Sequence, residues 1–104
     1  MITSFREWLL EHDLNESVKI TGKVKYADWS AFKAVVDDDE YTIEAKIFKE
    51  PSEFGIDGGK ISKLGIRHTS DSKQEIDYDR GWDIKPPKNG NLKKVYDEFI
   101  KKYN

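Results

Sequence analysis

Hydrophobic and polar residues alternate with two different periods along this chain of 104 residues. Near its start, Ser4 and Glu7 have the spacing of a helix capping box, and apolar residues follow at helical spacing as far as His12. This pattern predicts a short N-terminal helix. From Ser17 to Tyr26 the period changes to two, which predicts a first strand with one face toward solvent.

Turn signals place the next two strands in register with the first. A two-residue loop at Asp38-Asp39 predicts a hairpin whose apolar residues share one face. The predicted cross-strand pairs are Val36 with Tyr41, Ala34 with Ile43 and Phe32 with Ala45 on that face, and Lys33 with Glu44 on the other. A three-residue connection over 27–29 extends the apolar face to the first strand, with Val24 opposite Phe32 and Ile20 opposite Val36. The three strands form a predicted meander.

The middle of the chain predicts a loop followed by two more strands. Residues 49–59 are rich in glycine and other helix and strand breakers, which predicts a structured loop before a fourth strand over 60–68. The fifth predicted strand runs from Ile76 to Ile84, where apolar and polar residues alternate regularly. A hairpin between these two strands would set Ile66 opposite Ile76 and Leu64 opposite Tyr78.

The C-terminal segment predicts an amphipathic helix that covers the sheet. Pro86-Pro87 ends the fifth strand because proline cannot donate to a strand ladder, and Asn89 or Asn91 can cap the helix that follows. Its apolar residues recur at helical spacing: Leu92, Val95, Tyr96, Phe99 and Tyr103. The chain thus predicts one α+β domain over 1–104, an antiparallel sheet of about five strands packed against a C-terminal helix, with a short N-terminal helix.

Composition and charge exclude several kinds of chemistry. Lysine and arginine number 18 against 20 aspartate and glutamate, so direct nucleic-acid binding through a generally basic surface is not expected. The absence of cysteine excludes disulfides, thiolate nucleophiles and cysteine-ligated zinc. Since the N-terminus lacks the pattern of a secretion signal and no segment is long enough to span a bilayer, we expect a cytoplasmic protein without a membrane partner.

Three sequence blocks are distinctive: EPSEFGI at 50–56, GKISKL at 59–64 and YDRGWD at 78–83. Together they resemble an uncharacterised domain family of bacteriophages and low-GC Gram-positive bacteria. The resemblance spans roughly Val18 to Tyr103. It implies a phage or prophage context and a small accessory protein, and it brings no catalytic or ligand-binding residue with it.

The strongest catalytic pattern is Glu44-Ala45-Lys46, downstream of the acidic run 37–40. Nucleases of the restriction-enzyme type hold a divalent metal between an aspartate and the glutamate of such an E-x-K strand. In the predicted register these residues lie on the solvent face of a tight hairpin, where charged residues need no catalytic explanation. Neither His12 nor His68 has a nearby serine or acidic residue in an arrangement that specifies a catalytic triad or a metal site. We therefore predict no catalytic residue, no bound metal and no cofactor.

Two further groups of residues are candidates for binding. Asp77, Asp79 and Asp83 are predicted to project from one face of the fifth strand, but alternate strand residues lie about 7 Å apart, which is too far to share one ion without help. Aromatic residues that follow the apolar period are predicted to lie in the core: Tyr26, Tyr78 and Trp82. Arg80 is predicted to lie along Tyr78 and Trp82. Trp29 lies at a turn instead and is the predicted interface anchor.

Two functional hypotheses follow from these patterns. The first is a non-enzymatic accessory or binding protein whose surface comprises Trp29, Asp37, Asp38, Asp39, Glu40, Asp77, Asp79 and Asp83. Such a surface suits a basic or nucleic-acid-binding protein partner, because carboxylates can take the place of phosphates. The alternative is a small divalent-metal-dependent nuclease or phosphodiesterase. Lysines near the edge of the first strand discourage strand pairing between copies, so we expect a monomer or a weak dimer.

Overall fold

The computed structural model describes residues 18–71 and 73–104. The elements, in chain order, are β1 Val18–Gly22, β2 Trp29–Val36, β3 Asp39–Ile47, a short 3-10 helix Ile56–Gly58, β4 Ile61–His68, β5 Ile76–Asp79, β6 Trp82–Ile84 and the helix α1 Asn91–Tyr103. The predicted N-terminal helix lies outside the described residues. Within them, no helix has the length and apolar character needed to cross a membrane.

All six strands form one antiparallel sheet in which each strand pairs with the next in sequence. The α+β class and the single C-terminal helix agree with the sequence prediction, but the sheet has six strands rather than about five. The difference lies at Arg80-Gly81, where the predicted fifth strand folds back on itself as β5 and β6. Arg80 has a φ of 58°, and glycine inside a strand pattern is a common sign of such a break.

The β2–β3 hairpin has the predicted faces but a different register. Val36 pairs with Asp39 rather than Tyr41, so the loop is Asp37-Asp38 and the strands are displaced by two residues from the prediction. Asp37 has a φ of 48°, a left-handed conformation that aspartate adopts more readily than most residues. A displacement of two residues keeps every side chain on its face. The six residues predicted to be buried here are therefore all buried: Phe32, Ala34, Val36, Tyr41, Ile43 and Ala45.

Two other predicted registers have different outcomes. Gly22, not Val24, lies opposite Phe32, because the β1–β2 connection spans six residues, 23–28, instead of three. The β4–β5 prediction is confirmed, since Ile66 pairs with Ile76 and Leu64 with Tyr78.

The helix α1 packs its apolar side on the inner face of the sheet. Val95, Tyr96 and Phe99 are buried, and the ring of Phe99 meets that of Phe32 edge to face with centroids 5.0 Å apart. The predicted cap is wrong, because the N-cap residue is Gly90 with a φ of 95° and no side chain caps the first turn. The side chain of Asn91 instead bonds to Asp39 across the helix–sheet junction.

Two side chains from other elements hold the loop between β3 and β4. Asn104, at the end of α1, accepts a hydrogen bond from the Ile61 N–H at 3.0 Å and donates one to the Ile56 carbonyl at 2.9 Å. The Tyr78 hydroxyl donates to the Phe54 carbonyl at 2.9 Å. The loop is therefore structured, as the sequence predicted.

The fold predicts a large effect of truncating Phe99. Phe99→Ala removes a fully buried ring from the helix–sheet contact and should lower the free energy of unfolding by about 3 to 5 kcal/mol. Urea denaturation followed by circular dichroism measures this change. Lys101→Ala, an exposed substitution in the same helix, should change it by less than about 0.5 kcal/mol. Equal effects of the two substitutions would contradict the packing of α1 on the sheet.

Candidate functional site

The outer face of the sheet, opposite α1, exposes aromatic side chains at one end. Tyr26, Trp29, Phe48 and Phe54 are 52%, 48%, 37% and 51% exposed. They lie at the same end of the sheet because the β1–β2 connection, the end of β3 and the loop before β4 are joined there. We call this region the aromatic end. Soluble proteins seldom gather exposed apolar rings in one place without a binding role.

Tyr26 is a correction to the sequence analysis, which predicted it in the core. The alternation of β1 stops at Gly22, so Tyr26 belongs to the connection rather than to the strand. The Lys49 ammonium lies 5.6 Å from the centre of its ring. Tyr78 is buried as predicted, and Trp82 is partly buried between the rings of Tyr78 and Tyr96, at 4.8 and 5.8 Å between centroids.

Trp29 is the first residue of β2, and its indole lies on the outer face. Its N–H donates to the side chain of Asp28 at 2.7 Å, which fixes the backbone as the strand begins. Lys46 is its cross-strand partner, and the Lys46 ammonium lies 5.6 Å from the indole centre. The predicted anchor is therefore exposed and flanked by a cation, and its binding role stays a prediction.

A pocket of about 330 Å³ opens beside Trp29, and we call it the cationic pocket. It is lined by Lys46, Phe48, Ser52, Phe54, Ser62, Lys63 and Arg80. The β5–β6 turn brings Arg80 to it, because the Arg80 N–H donates to the Ser62 carbonyl at 3.1 Å. Asp79 lies 3.6 Å from the Lys63 ammonium and 3.9 Å from Arg80 Nε. The sequence analysis missed this pocket, since its residues come from two strands, the loop between them and the β5–β6 turn.

Arg80 itself lies differently from the prediction. It was expected along the buried rings of Tyr78 and Trp82, but it occupies the turn and its side chain is 61% exposed. The guanidinium does reach a carboxylate, that of Asp79. The signal that could have placed it is the adjacent Gly81, which marks a turn within an apparently regular strand.

A second, smaller pocket of about 120 Å³ joins Trp29 to the predicted carboxylates, and we call it the acidic pocket. Its lining includes Trp29, Glu44, Lys63, Gln74, Asp77 and Asp79. Burial, and then the neighbouring charges of Asp83 and Asp79, raise the pKa of the Asp77 carboxyl. The side-chain oxygen of Gln74 is buried and accepts no hydrogen bond from the described residues. This oxygen is therefore available to accept a hydrogen bond from a ligand in the acidic pocket.

The three aspartates of this region were predicted to project from one strand, but they lie on two. Asp77 and Asp79 belong to β5, whereas Asp83 belongs to β6. They are close because the two strands are paired. Among residues 18–71 and 73–104, no group of three or more histidine, cysteine, aspartate or glutamate residues is arranged to hold a metal ion.

The acidic tip, Asp37 to Glu40, lies at the opposite end of β3 from the aromatic end. Asp37 and Asp38 are exposed in the turn, and Glu40 pairs with Lys33 at 3.1 Å. Asp39 accepts a hydrogen bond from Asn91 at 2.9 Å and lies 3.4 Å from His68 Nε2, and these two contacts lower the pKa of its carboxyl. The predicted acidic surface is thus divided between two ends of the sheet.

In the fold, His68 has the serine and the acidic neighbour that the sequence did not reveal. Its Nδ1 lies 2.7 Å from the Ser70 hydroxyl, and its Nε2 faces Asp39, so a serine, a histidine and an aspartate lie in series. Catalysis by such a series also needs a substrate pocket and donors for an oxyanion. Ser70 is exposed in the β4–β5 turn, and neither pocket described above includes it. We therefore assign this network to joining β3, β4 and α1.

The E-x-K residues have separate partners on the outer face. Glu44 lies 3.7 Å from Arg67 on β4, and Lys46 lies beside the Trp29 ring. Neither residue is in contact with the acidic tip upstream of it, which lies at the far end of the strand. The fold therefore does not bring the E-x-K residues together with the acidic run.

Opposite effects of pH are expected for two aspartates. The lowered pKa of Asp39 means that its charge stabilises the fold above the ordinary value of 3.8, and this contribution is lost as pH falls through the lowered pKa. The raised pKa of Asp77 means that its charge opposes folding once pH exceeds the raised value. At pH 7 Asp39→Asn should therefore lower the urea midpoint and Asp77→Asn should raise it.

The same measurement near pH 2.5 supplies the control. Both carboxyls are then largely protonated in the unfolded chain, so the effect of Asp77→Asn should vanish and that of Asp39→Asn should shrink. If both substitutions shift the midpoint in the same direction at pH 7, the charge environments inferred for these two residues are wrong.

A family model described as a domain of unknown function, DUF7678, matches residues 21–104 of the chain. No curated protein and no solved structure gives a significant match.

Proposed function

We propose that this chain, which belongs to the DUF7678 family, is a non-enzymatic binding protein that engages a protein partner through its aromatic end. The family description names no activity, so the proposal is drawn from the surface of the molecule. The observation that carries it is the gathering of exposed rings at one end of a face that no other described element covers. Exposed aromatic residues on a rigid sheet are common anchors of protein interfaces.

Trp29 is the central residue of the proposed interface. Its half-exposed indole lines the acidic pocket, and its neighbour Lys46 lines the cationic pocket. A partner that covers Trp29 would therefore meet aromatic, acidic and basic groups in one footprint. Tryptophan is enriched among interface residues that contribute most to binding, especially where neighbouring contacts exclude water.

The acidic residues identified from the sequence have separate places in this proposal. Asp77, Asp79 and Asp83 lie at or beside the acidic pocket and would receive a basic group of the partner. The tip at Asp37 to Glu40 is remote from Trp29, and part of its charge already has partners within the chain. A basic partner, including a nucleic-acid-binding one, remains our proposal for the acidic pocket.

The wider biological setting is also a proposal. The resemblance of three sequence blocks to phage and low-GC Gram-positive sequences supports a phage or prophage accessory role in the cytoplasm. Lys19, the lysine of edge strand β1, supports a monomer or weak dimer, because a charge on an edge strand discourages pairing between copies. A metal-dependent nuclease is the alternative, and tight magnesium binding that is lost in Asp79→Asn would favour it.

Capture from an extract of the native host tests the proposed interface. Trp29→Ala should reduce the recovered partner by about tenfold or more, the size expected for an aromatic hot spot. Val35→Ala is the matched control, because Val35 is an apolar residue of the same strand and face with 44% exposure, remote from the aromatic end.

Both variants change exposed side chains and should keep the melting temperature of the parent protein within a few degrees. Recovery that is unaffected by Trp29→Ala, or reduced equally by Val35→Ala, would refute an interface centred on the aromatic end.

A further inference from the structure

We propose that the cationic pocket binds an acidic side chain of a short protein segment, with an adjacent apolar side chain held between Phe48 and Phe54. This inference rests on the proposed function and specifies the chemistry of the partner. It assigns a binding role to Lys46, Lys63 and Arg80, none of which was predicted from the sequence to bind a partner. Four steps support it.

The first step is the pairing of two lysines. Lys46 on β3 and Lys63 on β4 are direct cross-strand partners on the outer face, and both line the cationic pocket. Like charges directly opposite each other destabilise an antiparallel sheet, whereas an opposite charge would support it. The other end of the same face has a favourable arrangement, with Lys33 and Glu40 in an ion pair. Asp79 lies opposite Lys63 on β5 and balances one of the two charges, and an anion bound beside Lys46 would balance the other.

The second step is the backbone of Arg80. Its φ of 58° lies in the left-handed region, which is unfavourable for most residues other than glycine, asparagine and aspartate. The turn would form more readily with asparagine or glycine at this position. Strained backbone is often found where a side chain has a functional role. Here the strained residue delivers a guanidinium, which binds carboxylates well because its donors match their two oxygens.

The third step is a charge balance within the pocket. Three cations line it, and Asp79 is shared between two of them at 3.6 and 3.9 Å, longer than a direct hydrogen bond. Lys46 has no ion-pair partner among the described residues and faces the Trp29 ring instead. The lining therefore has a net positive charge in a protein whose overall charge is -2. Such a local excess complements an anion.

The fourth step concerns size and neighbours, which favour a protein segment over a nucleic acid. A volume of about 330 Å³ accommodates one or two side chains, and the exposed rings of Phe48 and Phe54 form apolar walls. A nucleic-acid strand would carry further phosphates across the adjoining acidic pocket, where Glu44, Asp77 and Asp79 would repel them. A peptide can present one carboxylate and continue with neutral or basic residues.

Titrations with defined probes, followed by amide NMR spectra, test this inference. The main probe is the acidic peptide Ac-Phe-Asp-Phe-Asp-NH2. Its uncharged analogue is Ac-Phe-Asn-Phe-Asn-NH2, and its basic analogue is Ac-Phe-Lys-Phe-Lys-NH2. An oligothymidylate of ten nucleotides is the nucleic-acid probe. The acidic peptide should shift the resonances of Lys46, Phe48, Phe54 and Arg80 saturably. Its affinity should fall about tenfold in Lys46→Gln, which removes one charge-assisted contact. Lys19→Gln, which removes the same charge from the exposed outer face of β1, should leave the affinity unchanged.

Arg80→Asn separates binding from folding. Because asparagine tolerates positive φ better than arginine, this variant should keep or raise the melting temperature while binding the acidic peptide more weakly. If Arg80 had only a structural role, Arg80→Asn would not weaken binding while keeping or raising the melting temperature.

Three outcomes would overturn the inference: equal weakening by Lys19→Gln and Lys46→Gln, tighter binding of oligothymidylate than of the acidic peptide, or no saturable shift with the acidic peptide. If the uncharged or the basic peptide alone binds at Trp29, the inference fails and the proposed function stands. If none of the peptides binds and host capture does not depend on Trp29, both fail.

Discussion

The inner face of a six-stranded sheet is covered by α1, and the rest of the structure depends on that contact. Phe99 packs against Phe32 of β2, and Tyr96 meets Trp82 of β6, so a helix of 13 residues contacts strands from both halves of the sheet. The apolar residues that alternate along β2 and β3 form this face. Since the helix occupies the inner face, an exposed binding surface can form on the outer face without disturbing the core.

The two ends of the outer face differ in how favourable the interactions among their residues are. At the end that carries the acidic tip, Lys33 and Glu40 form an ion pair. At the aromatic end, two lysines face each other, an arginine has an unfavourable φ, and aromatic rings are exposed. Natural sequences are mostly consistent with their own fold, and exceptions concentrate at functional sites. The contrast between the two ends of one sheet supports placing the function at the aromatic end.

Sequence periodicity predicted which residues are buried better than it predicted which residues are paired. Burial in a strand follows a period of two, so Phe32, Ala34 and Val36 were assigned to the core even though their partners were two residues away. The register depends on turn conformation, and the left-handed backbone of Asp37 and Arg80 is not visible in a hydrophobic pattern. Both pockets combine residues far apart in the sequence, so only Trp29 and the aspartates of the acidic pocket were identified in advance as binding residues.

The bonds of Asn104 connect the end of α1 to the loop that forms one wall of the cationic pocket. Its side chain joins the Ile56 carbonyl and the Ile61 N–H, on either side of the 3-10 helix, while Ser52 and Phe54 of the same loop line the pocket. Fraying of the last helical turn and loosening of that wall are therefore one local unfolding event. Hydrogen exchange at the Ile61 amide reports its free energy, and a ligand that holds the wall closed slows exchange at the end of a helix that it does not touch.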